Sequence, residues 1–307
     1  MEKCDLTDKI IELKEKRDAV ILAHNYQIAE VQDIADHVGD SLELSQLAAE
    51  SKADVIVFCG VHFMAESAAM LAPDKIVLLP EAAAGCPLAD MISVDELLSL
   101  KKENPNAAVA TYINSSAAVK AESDICITSA NAIKVVNSLN ADEVIITPDG
   151  NLASYISKST DKKIIAWPGY CITHHRVTLD DIKLARENHP GAVIIVHPEC
   201  RPEVVANADK VLGTGGMIRY AQETDHEDII IGTEEGMIHR LRKECPGKRF
   251  FLLSSSLVCP NMKYTNRQKV ASALENMEHR ITVKPEVRER AVDSLRKMLA
   301  VTSVKGV

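Results

Sequence analysis

The sequence predicts an α/β protein built as three homologous α/β/α sandwich domains, their parallel sheets arranged around a pseudo-threefold axis. Three observations predict it. Apolar, β-branched segments of strand length alternate with helical stretches, the pattern of parallel sheets covered on both faces. The whole pattern recurs three times at a spacing of about 85 residues. Each recurrence also places a cysteine just after its third strand, at Cys86, Cys171 and Cys259.

The elements follow in order within each copy. A first strand ends in polar, chemically capable residues at 20–26 (VILAHNY), 108–114 (AVATYIN) and 193–199 (VIIVHPE). Aligning these on His24, Tyr112 and His197 puts a hydroxyl residue 17 positions later in every copy, at Ser41, Ser129 and Thr214, each expected to open a helix. A second apolar strand follows an acidic residue at Asp54, Glu143 and Asp228, and a third occupies 76–79, 164–167 and 250–253. The lead-in helices repeat as well, at 7–16, 95–104 and 180–188, the last two running through Pro105 and Pro190 into the next strand. Domain bounds of 1–100, 101–185 and 186–270 result. Two helices are expected in the tail, mainly over 271–307, the second either packing back on the first copy or forming an outer clasp.

Composition narrows the function. With 46% hydrophobic residues and 26% charged, the 307-residue chain can bury large cores and has no polar tract of the kind that stays disordered. A formal charge of −9 disfavours nucleic acid and anionic membrane, so an anionic substrate must be held by local features such as helix N-termini. The N-terminal residues read as an amphipathic helix without the apolar region of a signal peptide, and the apolar runs are far short of a membrane span; the expectation is a cytoplasmic protein. Eight cysteines without a CxxC pair exclude zinc-ribbon and ferredoxin patterns and, in a reducing compartment, argue for buried thiols or metal ligation.

The ends of parallel strands are where ligands bind in such folds. Cys4, Cys59, Cys126, Cys200 and Cys245 do not recur in the repeat and read as small buried hydrophobes. Cys86, Cys171 and Cys259 share one slot in three copies, and three thiolates meeting at one centre suit zinc or an iron–sulfur cluster; a 4Fe-4S cluster with one open iron and a three-cysteine zinc site both fit the residues. Singly, Ser41, Ser129 and Thr214 read as helix caps. In a repeat of helix starts, with glycines around Thr214 at 213–216, they also read as an anion-binding set. The pairs His24 with Tyr26, Tyr112 with Asn114, and His197 with Glu199 stand two apart, so each copy offers two polar groups to one cavity, a mix suited to multistep proton transfer. His174, three residues after Cys171, joins them as a weaker candidate. His62, His175, His226 and His239 read as surface or structural, and Phe63 or Met64 serves equally well as cavity lining or as core.

The segments that carry these residues resemble the quinolinate synthase family over nearly the whole chain. They include 23–27 (AHNYQ), 39–42 (GDSL), 85–89 (GCPLA), 112–116 (YINSS), 148–149 (PD), 167–171 (WPGYC), 197–200 (HPEC), 213–217 (GTGGM) and 234–236 (EEG). The resemblance implies a 4Fe-4S cluster, one per chain, held by Cys86, Cys171 and Cys259 with one iron open. It also implies condensation of iminoaspartate with dihydroxyacetone phosphate to quinolinate in NAD biosynthesis, with phosphate loss, carbon–carbon and Schiff-base bond formation and two dehydrations. Glu199 is then the main acid/base, assisted by Tyr26 and His197. Tyr112 and Asn114 bind carboxylate and hydroxyl groups, Ser41, Ser129 and Thr214 hold carboxylates and phosphate, and His24 and His174 are further substrate contacts. An aspartate oxidase or dehydrogenase is expected as the supplier of iminoaspartate. Some members carry a CxxC redox switch near the C-terminus; its lack here predicts no such regulation. The rivals are an aconitase-like hydro-lyase, which the segment match does not favour, and an iron–sulfur sensor, for which the sequence offers no basic patch or appended module.

Overall fold

The computed structural model describes residues 3–303, with side chains from 6 to 301, so the thiol of Cys4 lies outside the described residues. Twelve strands form three four-stranded parallel sheets. The first sheet contains β1 (Ala19–His24), β2 (His37–Gly39), β3 (Val55–Cys59) and β4 (Ile76–Leu78). The second contains β5 (Ala108–Tyr112), β6 (Ile125–Ile127), β7 (Glu143–Thr147) and β8 (Lys163–Ala166). β9 (Val193–Val196), β10 (Lys210–Val211), β11 (Asp228–Gly232) and β12 (Arg249–Leu252) make the third.

All three sheets share one strand order, β2-β1-β3-β4 and its equivalents, and nearly one register. Ala19 pairs with Val55, Ala108 with Val144 and Val193 with Ile229, an offset of 36 residues each time. The offset to the last strand is 21 residues in the outer copies (Val55 with Ile76, Ile229 with Phe250) and 20 in the middle one (Val144 with Ile164). Continuously apolar strands suit this arrangement because helices cover both faces, and β3 and β9 are buried at every residue. Lead-in helices begin on matching capping boxes, Ser93 with Glu96 and Thr178 with Asp181, which satisfy the free amides of the first turn.

The strands β2, β6 and β10, at one edge of each sheet, have only two or three residues, too few to show a period. They are held by a repeated side chain. Asp36, Asp124 and Asp209 stand 12 residues after the three anchors, and each carboxylate accepts the backbone N–H of the neighbouring strand, from Ile21, Val109 and Ile194, at 2.7–2.8 Å. The same aspartates return their own amides to the carbonyls of Ile21, Val109 and Ile194.

The two tail helices separate. Arg267–Asn276 lies against the first helix, Lys3–Lys16, and against β3. Pro285–Ser303 runs across the helices Ala117–Ala121 and Ala132–Ser138 and β6 of the second unit, also touching His62–Leu71 of the first. Its Ala291, Leu295 and Met298 enter one continuous core with Ala117, Cys126 and Val135. The chain end thus bridges two units by apolar burial. No helix of the described residues is long and apolar enough to cross a membrane.

Because the aspartate clamps are repeated and solvent-facing, each contributes modestly. Asp124→Ala is expected to lower stability by about 1 kcal/mol, the usual net worth of one such hydrogen bond. The shift of the chemical denaturation midpoint measures it, and an unshifted midpoint would show that the clamp contributes nothing.

Candidate active site

The carboxyl ends of all three sheets open on one cavity. It is lined by Cys86, Cys171 and Cys259, and by His24, Tyr26, Ser41, Tyr112, Asn114, Ser129, His174, His197, Glu199 and Thr214. Every residue singled out for chemistry in the sequence therefore faces the same space. Phe63 and Met64 line it too and belong at the same time to the hydrophobic core. Cys59, Cys126, Cys200 and Cys245 are buried and do not line it.

The three hydroxyl residues differ in local structure. Ser41 and Thr214 are the first residues of the helices Ser41–Glu50 and Thr214–Glu223. Neither caps its helix. Asp40 occupies the cap position of the first and accepts the amides of Leu42 and Glu43, while Gly213 precedes the second without any side-chain cap. Their hydroxyls are thereby left for the cavity. Ser129 does not open a helix: it lies in the turn after β6, and the helix begins at Ala132 behind Asn131, whose side chain accepts the amide of Thr128. Ser129 still converges with the others, since a Cβ at Gly213 would stand 2.9 Å from its hydroxyl, and one at Gly215 would stand 3.0 Å from Asp40. The glycines let these turns approach closely.

Glu199 sits at the centre of the polar lining. Its Oε2 lies 2.8 Å from His174 Nδ1 and 3.1 Å from His197 Nδ1, and the two imidazoles stack with centroids 4.6 Å apart. Burial alone would raise the carboxyl, but the opposing charge and hydrogen bonds of His197 and His174 outweigh it and hold the group ionised, well below the usual carboxylate range. Among the described residues Oε1 has no hydrogen-bond partner. A buried carboxylate with one oxygen braced and the other free is an acceptor for a proton brought by a ligand.

From His174 the network continues to Thr233, which the sequence reading did not include. Thr233 Oγ1 is 2.8 Å from His174 Nε2 and 2.6 Å from the Tyr26 hydroxyl, so a hydrogen-bonded chain joins Tyr26 to Glu199. Burial raises the Tyr26 and Tyr112 phenols, reinforced by the Glu199 charge, and keeps both as donors. His24 is fixed in one form. Its Nδ1 accepts the Tyr26 amide at 3.2 Å, and burial, with repulsion from His197, lowers its pKa to about 3. The neutral ring therefore carries its proton on Nε2.

Two buried carboxylates support the cysteine loops. Asp149 and Glu234 both lie 37 residues after their anchors. Asp149 accepts the amide of Cys171 at 3.2 Å and that of Leu152 at 2.8 Å. Glu234 accepts the amide of Cys259 at 3.1 Å and pairs with Lys263 at 2.8 Å, whose ammonium also reaches the Tyr26 carbonyl. Val61 occupies this position in the first unit, and there the polarity reverses, with the His62 amide donating to the Ala84 carbonyl. The Cys86 loop is further tied to the Cys259 loop by Asn261, which donates to the Gly85 carbonyl at 2.7 Å.

The donor set fits a soft metal centre. The three cavity cysteines are unpaired thiols, and burial raises each of them, Cys86 to about 12. They become thiolates where a metal takes the place of the proton. Cys171, His174 and Glu199 also gather within 4.8 Å and have the donor types of a zinc site. However, His174 Nδ1 and Glu199 Oε2 are 2.8 Å apart, a hydrogen bond, whereas two ligands on one tetrahedral zinc stand about 3.4 Å apart.

Comparison with known proteins assigns the chain to a family. The profile of the quinolinate synthetase A protein family matches residues 8–300. The chain belongs to the quinolinate synthase family. It is 56% identical to quinolinate synthase 1 of Methanosarcina acetivorans over 301 residues, which are 98% of this chain and 99% of that protein. It is 55% identical to the quinolinate synthase of Dehalococcoides mccartyi, over 96% of this chain and 98% of the relative, and 54% identical to that of Alkaliphilus metalliredigens, over 98% and 100%.

The neutral His24 has a consequence for stability. Its folded pKa of about 3 lies below the unfolded value near 6.5. The unfolded chain therefore takes up a proton that the folded one refuses, and stability falls as pH drops from 6.5 towards 3 and is unaffected by this group above 6.5. His24→Gln should flatten that slope in denaturation midpoints measured at pH 7 and pH 5; an unchanged slope would show that His24 protonates in place.

Proposed function

We propose that the cavity condenses iminoaspartate with dihydroxyacetone phosphate to quinolinate, releasing phosphate and two waters. Quinolinate synthesis in NAD biosynthesis is the activity of the family to which the chain belongs. The observation that carries the site-level reading is the convergence of three equivalent thiols, a braced carboxylate and three hydroxyls on one cavity. The two substrates contain all the atoms of quinolinate, phosphate and two waters, so the overall reaction requires neither oxidant nor reductant.

In this reading Cys86, Cys171 and Cys259 hold one 4Fe-4S cluster per chain. Such a cluster would supply Lewis-acid chemistry for loss of hydroxide from the substrate. The remaining work falls to side chains. Ser41, Ser129 and Thr214, with the amides of two helix starts, bind the anionic groups, which a chain of net charge −9 cannot attract by a general field. Tyr112 and Asn114 bind carboxylate and hydroxyl oxygens, and His24 donates from Nε2. Glu199 Oε1 takes the carbon-bound protons that condensation and dehydration release, and returns them to leaving oxygens. His197 and His174 hold it in place, and Tyr26 is joined to it through Thr233 and His174. Iminoaspartate hydrolyses readily, so its supplier is an aspartate oxidase or dehydrogenase acting close by. We place the reaction in the cytoplasm, where the thiols remain reduced.

Anaerobic purification followed by iron and sulfide analysis tests the centre first: about four of each per chain is expected. Replacing Cys86, Cys171 or Cys259 singly with Ala should abolish quinolinate formation and most iron binding, and full turnover in any one of them removes that ligand. Glu199→Gln should leave the iron content intact while turnover falls by about 10²-fold or more, the usual contribution of a positioned acid/base. Near-normal rates in that variant would take Glu199 out of the role.

A further inference from the structure

Asn25 follows directly on β1 and is completely buried beside the cavity, whose lining does not include it. Its side chain bridges two units. Arg240, on the helix Met237–Glu244, donates from a guanidinium nitrogen to Asn25 Oδ1 at 2.7 Å and also to the Val38 carbonyl. Asn25 Nδ2 then lies 2.8 Å from Thr214 Oγ1. The backbone is fixed as well, with the Asn25 amide donating to the Gly39 carbonyl at 3.0 Å.

The direction of these bonds follows from chemistry alone. A guanidinium has five N–H donors and no acceptor, so the atom facing Arg240 must be the amide oxygen. The amide nitrogen then faces Thr214 and can only donate. The Thr214 hydroxyl consequently receives a hydrogen bond from behind and keeps its own proton free. Among the described residues that hydroxyl makes no other side-chain hydrogen bond, and Thr214 lines the cavity. Its O–H is aimed at whatever occupies the helix start.

We propose that Asn25, oriented by Arg240, is a positioning residue that commits the Thr214 hydroxyl to act as a donor to an anionic oxygen, a carboxylate or a phosphate, of the bound substrate or product. The inference rests on the reading of Thr214 as an anion contact. Asn25 itself touches no ligand. Its effect is to remove the alternative in which the hydroxyl turns and presents a lone pair, which would repel an anion. Glu43 and Glu244 flank Arg240 at 4.0 and 3.6 Å, so orientation of the amide, rather than net positive charge, is what Arg240 supplies.

Asn25→Asp tests this with little change in shape. The aspartate still accepts from Arg240, but its second oxygen can only accept, and so draws the Thr214 proton away from the cavity. Binding is measured by calorimetry on the anaerobically prepared, iron-loaded full chain, with two probes: pyridine-2,3-dicarboxylate and dihydroxyacetone phosphate. Loss of a hydrogen bond to a charged group predicts roughly tenfold weaker binding or more for the probe whose oxygen meets Thr214. Thr214→Val should weaken the same probe, and Thr214→Ser should retain it. In the Asn25→Asp/Thr214→Val double variant the loss should be no larger than in Thr214→Val alone. Additive losses, or wild-type affinity for both probes in Asn25→Asp, overturn the proposal while leaving the anion contact itself intact. No effect of Thr214→Val on either probe overturns both. Should Asn25→Asp not fold, Arg240→Met frees the amide to turn and carries the same test against Thr214→Val.

Discussion

Parallel pairing at a fixed register is the constraint on which everything else depends. A parallel strand must be reached by a crossover, so helices fall on both faces and every strand of a unit ends on the same side. Repeating the offset of 36 residues between the central strands three times puts the anchors His24, Tyr112 and His197 in equivalent places. The cysteines, one loop further on, then come from three units into one cavity. The site is thus a product of backbone hydrogen bonding repeated three times.

Within that frame the chemistry is arranged by hydrogen-bond direction more than by net charge. The molecule is acidic overall, yet it must hold anionic ligands. The cavity meets them with donors: the Nε2 proton of His24, two phenols kept protonated by burial, and the hydroxyls at two helix starts, neither of which caps its own helix. One anionic oxygen, Glu199 Oε1, is left without a partner among them. A buried carboxylate oxygen left free beside such donors is suited to accept a proton.

The repeat was legible because it rests on strands long enough to show a pattern and on residues with few bland explanations. All twelve residues chosen from their place in the repeat line the cavity, and so does His174, chosen for its closeness to Cys171. The edge strands β2, β6 and β10 were not legible, since two or three residues cannot show a period; their signal lay in Asp36, Asp124 and Asp209, equally spaced but ordinary in type. Ser129 matched Ser41 and Thr214 in spacing and differed in structure, because Asn131 turns the chain before the helix starts. Thr233 carried no mark at all. It gains a role only through the two side chains that the fold brings to either side of its hydroxyl.

The units have diverged where chemistry required difference. At the position 37 residues beyond each anchor, the second and third units place a buried carboxylate that takes a cysteine-loop amide, and the first places Val61. A third acid there would join Asp149 and Glu234, both of which burial already pushes up, in the neighbourhood of Glu199 and three thiols. Buried like charges raise one another's proton affinity and destabilise the ionised state. Reversing the polarity in the first unit, so that the His62 amide donates to the Ala84 carbonyl, holds the Cys86 loop without that charge. The departure from threefold symmetry thus spares the cavity a third buried acid beside three thiols and Glu199.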